Sequence, residues 1–250
     1  MEKLINKYAH ILSAFQEQMN KINRLWNVEK ETAELLSFLV LIKKPKIILE
    51  LGTSNGFSTF YMAIHKSSKI ITIDVEKARQ DLAKINLNIF ENIEFISERI
   101  EDYIPKINYE IDFLFIDANK PNYLKYLQIL EKKLTNGAII VADNIDSHKT
   151  TKIYNDYVKN SKTYTTIHLS IDSGLLISYF NKEYLNMDKG KISFQNSENN
   201  NLTKLLNPLV KKNKTSNLEN ILKDIEEEML EANNETNETK NVNKDAQENE

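Results

Sequence analysis

The stretch that decides the fold runs from Lys46 to Phe60 and reads KIILELGTSNGFSTF. Its first six residues form an apolar run of strand length, and the residues from Phe57 onward have helical spacing. Gly52 and Gly56 separate the two parts, although the chain holds only 5 glycines in 250 residues. Because glycine is retained mainly where a side chain cannot fit, this turn predicts a ligand lying close to the backbone. A tight turn without a ligand is the other interpretation.

The residues around this stretch alternate between strand-like and helix-like segments. Apolar runs of strand length occupy residues 46–51, 69–74, 92–97, 111–117 and 138–143, and two more at 164–169 and 174–180 are typical of a hairpin. Helical spacing occurs at residues 4–19, 29–42, 57–66, 76–86, 100–105 and 123–134. Apolar strands separated by helices indicate a parallel sheet covered on both faces. The predicted fold is therefore α/β: a Rossmann-like, doubly wound, mostly parallel seven-stranded sheet with a terminal antiparallel hairpin.

Composition divides the chain into three parts. We predict N-terminal helices packing on the domain at residues 1–45, the α/β domain at 46–180, and a polar tail at 181–250. The tail carries 10 Lys and Arg against 14 Asp and Glu and is rich in Asn, so it cannot bury enough apolar surface to offset its ordering entropy. A short amphipathic helix is expected within it, near residues 218–232.

Composition also limits the class of protein. The chain is 41% hydrophobic and 28% charged, as globular proteins are, and it has no cysteine, which suits a reducing cytoplasm. No apolar run approaches the roughly 18 residues of a membrane span, and the N-terminus does not read as a secretory signal. A net charge of −3 gives no general attraction to nucleic acid or to an anionic membrane.

Two acids at strand ends indicate which ligand the glycine turn takes. A dinucleotide site would show Gly-x-Gly-x-x-Gly, whereas Gly52 and Gly56 are separated by three residues. Glu50 would repel a phosphate but would attract the ammonium of an amino-acid-like ligand. Asp74 ends the second strand, where a carboxylate accepts the hydroxyls of a ribose, although it could instead cap the next helix. A ribose with a cationic amino-acid portion and no phosphate describes S-adenosylmethionine.

A second group of polar residues follows the fourth and fifth strands. Asp117 closes one strand, and Asp143 and Asn144 close the next. Since these strands are neighbours in a doubly wound sheet, the three side chains should converge and form an all-oxygen site suited to Mg²⁺ or another divalent cation. Lys120 would project into the same region as a candidate catalytic base. Loop capping by the acids and a solvated Lys120 are the alternatives.

The motifs taken in order resemble the cation-dependent O-methyltransferases related to catechol O-methyltransferase, a class I methyltransferase family. The resemblance rests on residues 48–58, 71–74, 115–120, Tyr123, Tyr126, Gly137, 141–144 and 172–178, and it spans about Val28 to Phe180. It implies cofactor contacts at Val28, Glu50, Gly52, Ser58, Asp74, Ile100, Glu101 and Asp117. It also implies metal ligation by Asp117, Asp143 and Asn144, with Lys120 as the base.

The sequence departs from the family on the side expected to hold the methyl acceptor. Asp172-Ser173-Gly174 replaces the usual Gly-Asp-Gly, and Gly137-Ala138 replaces a glycine pair. The expected acceptor is a small catechol-like or other chelating molecule. A tRNA hydroxyuridine, a non-catalytic S-adenosylmethionine-binding protein and, least favoured, a nicotinamide-dependent dehydrogenase remain as alternatives. A homodimer is left open. His148 could line the acceptor pocket or face solvent, and Trp26 is expected in the core.

Overall fold

The computed structural model describes residue 5, residues 7–22, residue 25, residues 27–147 and residues 149–185. Trp26, His148 and the helix expected near residues 218–232 lie outside these residues. All of the described residues belong to one compact unit. Within the described part of the chain, no helix combines the length and apolar character needed to cross a bilayer.

The sheet has seven strands in the order β3-β2-β1-β4-β5-β7-β6. The strands are β1 Ile47–Leu51, β2 Lys69–Ile73, β3 Ile93–Ile96, β4 Ile111–Ile116, β5 Leu134–Ala142, β6 Tyr164–Leu169 and β7 Leu175–Phe180. Strands β1 to β5 pair in parallel, and β7 runs antiparallel between β5 and β6. The predicted fold class, including the terminal hairpin, is confirmed.

The register places the ends of the central strands side by side. Leu51 pairs with Ile73 of β2 and with Ile116 of β4, and Ile116 in turn pairs with Ala142 of β5. The residue after each strand end therefore lies at one common edge of the sheet. This edge is the carboxyl end of the parallel strands, where α/β proteins bind ligands.

The helices cover both faces of this sheet. They are α1 Ala9–Lys21, α2 Lys30–Lys43, α3 Phe57–Ala63, α4 Lys77–Asn86, α5 Ile100–Tyr103, α6 Tyr123–Leu130, α7 Lys152–Asn160 and α8 Lys182–Leu185. Helix α7 was not predicted. The prediction of one helix over residues 123–134 was wrong at its end: α6 stops at Leu130, a 3₁₀ turn follows over Glu131–Lys133, and Leu134 already pairs with Ile111 of β4.

The core lies on both sides of the central strands. Most side chains of β1, β2, β4 and β5 are buried, and α2 buries Leu35, Leu36, Phe38, Leu39 and Val40. Residues that follow Phe180 are hydrogen-bonded to the domain. The Asn181 backbone N–H donates to Thr163 O at 2.8 Å, and the Lys182 N–H donates to Asn136 Oδ1 at 2.9 Å. Leu185 packs against the core, so residues 181–185 contact the domain.

Candidate active site

A cavity of about 1170 Å³ opens at the carboxyl edge of the sheet. Its walls include all but one of the residues predicted to bind cofactor or metal: Val28, Gly52, Ser58, Asp74, Ile100, Glu101, Asp117, Asp143 and Asn144. Lys120, the predicted base, lines it too. Glu50 does not. The edge of the sheet thus brings the residues predicted to bind the cofactor and those predicted to bind a metal into one cavity.

The glycine turn after β1 has the geometry that its sequence predicts. Gly52 has a φ of +103°, and a Cβ there would lie 1.9 Å from the carbonyl oxygen of Asp117. Gly56 has a φ of +91°, and a Cβ there would lie 2.8 Å from Cδ1 of Leu87. Any other residue would therefore combine backbone strain with a steric clash at both positions. Both glycines are needed to bring the turn against β4 on one side and α4 on the other.

Asp74 ties the glycine turn to the start of α4. Its carboxylate accepts the Ser54 backbone N–H at 3.0 Å and the Glu76 backbone N–H at 2.9 Å, and the residue is 8% exposed. The helix-capping alternative is thus partly realised through the bond to Glu76, although α4 itself begins at Lys77. Asp74 also lines the cavity, and its contact with the hydroxyls of a ligand stays a prediction.

Glu50 is completely buried beneath the start of α3. The Ser58 hydroxyl donates to Oε1 of Glu50 at 2.5 Å, and the Thr59 hydroxyl donates to Oε2. Burial raises the pKa of the Glu50 carboxyl to about 7, the hydrogen bonds from Ser58 and Thr59 oppose this rise, and the charge of Asp117 adds to it. Because Ser58 lines the cavity and Glu50 does not, a direct contact between Glu50 and a ligand ammonium stays a prediction.

The second set of residues follows β4 and β5. Asp143 is 3% exposed, and its Oδ1 accepts the backbone N–H of Asn144 at 2.7 Å. Asn144 has a φ of +59°, a left-handed conformation that asparagine tolerates better than most residues. Burial raises the pKa of the Asp143 carboxyl, and the negative charge of Asp117 raises it further. A cation between these carboxylates would offset both effects.

Lys120 supplies one positive charge to this acidic pair. Its Nζ lies 2.7 Å from Oδ1 of Asp117, and the two side chains are only 19% and 15% exposed. The ammonium also lies 5.9 Å from the ring centre of Tyr123. Lys120 therefore reaches the cavity as predicted, but in this structure it is paired with a residue that was predicted to ligate metal.

The predicted donor set for a metal consists of two carboxylates and one amide. Within residues 7–22, 27–147 and 149–185, no three His, Cys, Asp or Glu side chains come together in a group that could hold a metal ion. A metal bound here would therefore need the amide oxygen of Asn144 or water in addition to Asp117 and Asp143. That combination of oxygen ligands is one that Mg²⁺ accepts, since it usually keeps several waters.

Several residues that line the cavity were not predicted: Leu25, Asn27, Arg79, Arg99, Ser147, Thr150 and Ser173. The amide of Asn27 is buried without a hydrogen-bond partner in the described structure, as is the hydroxyl of Ser54. Buried polar atoms without a partner are rare and are commonly satisfied by a ligand or by water. Ser173 reaches the cavity because Asp146 N–H donates to its carbonyl at 2.9 Å, a long-range contact that no local pattern reports.

Comparison with known proteins defines the family. Residues 7–183 match the family model described as O-methyltransferase, and the chain belongs to this family. It is 30% identical over 128 residues to a catechol O-methyltransferase from Niastella koreensis, covering 48% of this chain and 58% of that protein. The chain thus spans a little more than half the length of curated relatives that it matches. The resemblance drawn from the motifs is confirmed.

Solved structures agree with this assignment. A proposed caffeoyl-CoA O-methyltransferase from Staphylococcus aureus is 26% identical, with a TM-score of 0.62 over 72% of this chain and 98% of that one. An O-methyltransferase from Bacillus cereus, solved in complex with S-adenosylhomocysteine, is 20% identical, with a TM-score of 0.61 over 70% of this chain and 91% of that one. The second comparison supports the shared fold.

Proposed function

We propose that this protein is an S-adenosylmethionine-dependent O-methyltransferase that uses a divalent cation, Mg²⁺ in the first instance. The observation that carries the proposal is the convergence of Asp117, Lys120, Asp143 and Asn144 on the cavity that Gly52 and Asp74 also line. One half of this cavity suits the cofactor, and the other half suits a metal and a methyl acceptor.

The cofactor would lie against the glycine turn. S-adenosylmethionine supplies an electrophilic methyl group when bound. The absence of side chains at Gly52 lets the ligand approach the backbone, and the Asp74 carboxylate would accept the hydroxyls of its ribose. Ile100 and Glu101 would flank the adenine, with Val28 and Asp117 completing the site. Ser58, whose hydroxyl is held by the buried Glu50, would contact the amino-acid portion of the cofactor.

The residues at the other end of the cavity fit a divalent cation. Asp117, Asp143 and Asn144 would hold it. The buried position of Asp143 beside a second carboxylate supports this assignment, because the single positive charge of Lys120 does not neutralise two carboxylates. When bound, the cation would lower the pKa of an acceptor hydroxyl. Lys120, as the neutral amine, would receive the proton of that hydroxyl at Nζ and become the ammonium. Alignment of the acceptor by these groups should contribute much of the rate gain.

The acceptor is best described as a small molecule with two adjacent oxygen atoms, such as a catechol. The catechol O-methyltransferase from Niastella koreensis supports this choice, because the chain resembles it. A tRNA hydroxyuridine remains the alternative acceptor, and a homodimer remains an expectation. A chain without cysteine also suits the reducing cytoplasm, where we expect the protein to act.

The test is a methylation assay with labelled S-adenosylmethionine and Mg²⁺ on separate samples of catechols, hydroxycinnamoyl thioesters and bulk tRNA. We expect transfer to a diol, complete loss of transfer in EDTA and recovery with Mg²⁺ or Mn²⁺. Asp143→Asn should remove most of the activity, whereas Asp156→Asn, at an exposed site on α7, should not. Full activity in EDTA would overturn the role of the metal, and cofactor binding without transfer to any sample would leave only a binding protein.

A further inference from the structure

Two side-chain amides from outside the glycine turn hold it at Asn55, which is completely buried. The Nδ2 of Asn55 donates to Oε1 of Gln18 at 3.0 Å, and the Nδ2 of Asn86 donates to the Asn55 carbonyl oxygen at 2.9 Å. Gln18 lies on α1 and Asn86 is the last residue of α4. The turn is therefore fixed from two helices that are distant from it in sequence.

Gln18 and Asn86 also bind each other in a reciprocal pair. The Nε2 of Gln18 donates to Oδ1 of Asn86 at 2.7 Å, and the Nδ2 of Asn86 donates to Oε1 of Gln18 at 3.0 Å. Each side-chain amide has both donors and an acceptor, so Gln18 and Asn86 each donate to the other. The Oε1 of Gln18 also accepts from Asn55. Three partly or fully buried amides thus form one connected network, in which the loss of one side chain removes hydrogen bonds from both of the others.

Aromatic packing places α1 against the same region. Phe15, one turn before Gln18, is 1% exposed, and its ring meets that of Phe57 edge to face with centroids 5.4 Å apart. Phe57 is the first residue of α3 and directly follows Gly56. Helix α1 consequently contacts both the turn, through Gln18, and the helix into which the turn leads, through Phe15.

We propose that Gln18 is a positioning residue for cofactor binding, acting through Asn55. Gln18 and Asn55 are not among the residues that line the cavity, whereas Gly52, Thr53 and Ser54 of the same turn are. Pre-organising a binding loop by buried hydrogen bonds lowers the entropy lost when the ligand binds. This inference rests on the proposed function in one respect, namely that the ligand of the turn is S-adenosylmethionine.

The experiment compares Gln18→Ala with Gln16→Ala, a matched change at an exposed position of α1, where Gln16 donates to Asn20 at the surface. Titration calorimetry with S-adenosylhomocysteine should show a Kd about three- to tenfold higher for Gln18→Ala and an unchanged Kd for Gln16→Ala. The KM for S-adenosylmethionine should rise in parallel, while kcat at saturating cofactor stays within about twofold of wild type. Gln18→Glu, which keeps the acceptor for Asn55, should give an intermediate Kd.

A double-mutant cycle decides whether Gln18 acts through Asn55. If it does, Gln18→Ala should add little to the Kd of an Asn55→Ala variant, because the bond that transmits its effect is already gone. Fully additive effects, or a lower melting temperature with wild-type affinity in the folded Gln18→Ala protein, would overturn the inference. Wild-type protein that fails to bind S-adenosylhomocysteine would instead refute the proposed function, and the inference with it.

Discussion

The Ser58 hydroxyl donates a 2.5 Å hydrogen bond to Oε1 of Glu50, and of these two residues only Ser58 lines the cavity. The sequence predicts a direct contact of Glu50 with the cofactor, whereas the structure puts a hydroxyl at the cavity wall and a buried carboxyl in contact with it. Since Thr59 also donates to this carboxylate, Glu50 fixes the first turn of α3. Its protonation should therefore affect the stability of the ligand-free protein.

Stability should depend on pH through Glu50. Burial raises the pKa of its carboxyl from the usual 4.5 to about 7, so between these values the folded protein binds more protons than the unfolded chain. The free energy of unfolding should then fall as pH rises through this window, by roughly 3 kcal/mol in total. Glu50→Gln should remove this part of the slope, as measured by urea unfolding of the ligand-free protein at several pH values.

The control for this measurement is Glu94→Gln, at an exposed position of β3 whose carboxylate pairs with Lys69 at the surface. It should keep the wild-type pH dependence. The comparison concerns slopes only, because glutamine at position 50 changes the hydrogen bonds to Ser58 and Thr59 at every pH. Parallel curves for wild type and Glu50→Gln would contradict the raised pKa.

Asp74 should contribute to cofactor affinity both directly and through the turn. Asp74→Ala removes the acceptor for the ribose and for the Ser54 N–H, so S-adenosylhomocysteine should bind more weakly by about 1–3 kcal/mol. Asp74→Asn keeps one acceptor oxygen and should lose less. Calorimetry checks both, with Asp81→Ala on the exposed side of α4 as control. An unchanged affinity in Asp74→Ala would remove the ribose assignment.

Much of the candidate site could be predicted because its residues follow strand ends. Asp74, Asp117 and Asp143 come directly after apolar runs, and parallel pairing brings such positions to one edge. The positive φ of Gly52 could likewise be anticipated from a glycine-poor sequence. In each case the local sequence identifies the residue, and the predicted fold class gives its place at the edge of the sheet.

What could not be predicted depends on contacts between distant residues. Asn55 and Gln18 are 37 residues apart, and nothing in the spacing of either indicates that their amides meet. Helix α7 was missed because it is short and mostly polar: it buries Tyr154 and Val158, and its remaining aliphatic residue, Ile153, is 67% exposed. Strand β5 begins early because Leu134 pairs with Ile111, although polar residues follow Leu134.

The boundary after the domain can be tested with two shortened chains. Removal of residues 193–250 should leave the melting temperature and the affinity for S-adenosylhomocysteine close to those of the full chain. A cut after Phe180 also removes the bonds from Asn181 to Thr163 and from Lys182 to Asn136, together with the packing of Leu185, and should lower the melting temperature by several degrees. A large loss of stability in the first shortened chain would show that residues 193–250 belong to the fold.

The pairing of Lys120 with Asp117 separates a catalytic role from a role in metal binding. If Lys120 takes a proton from the acceptor, Lys120→Met should lower kcat by at least about a hundredfold and leave the affinity for S-adenosylhomocysteine within about twofold. Because the ammonium lies 2.7 Å from Oδ1 of Asp117, it competes with a divalent cation for this carboxylate. The same variant should therefore bind Mn²⁺ more tightly, which calorimetry can measure, since one neighbouring positive charge is gone.

Lys132→Met, at an exposed position after α6, should change neither kcat nor the affinity for Mn²⁺. Weaker Mn²⁺ binding in Lys120→Met would mean that Lys120 supports the metal site, and an unchanged kcat would mean that another group receives the proton.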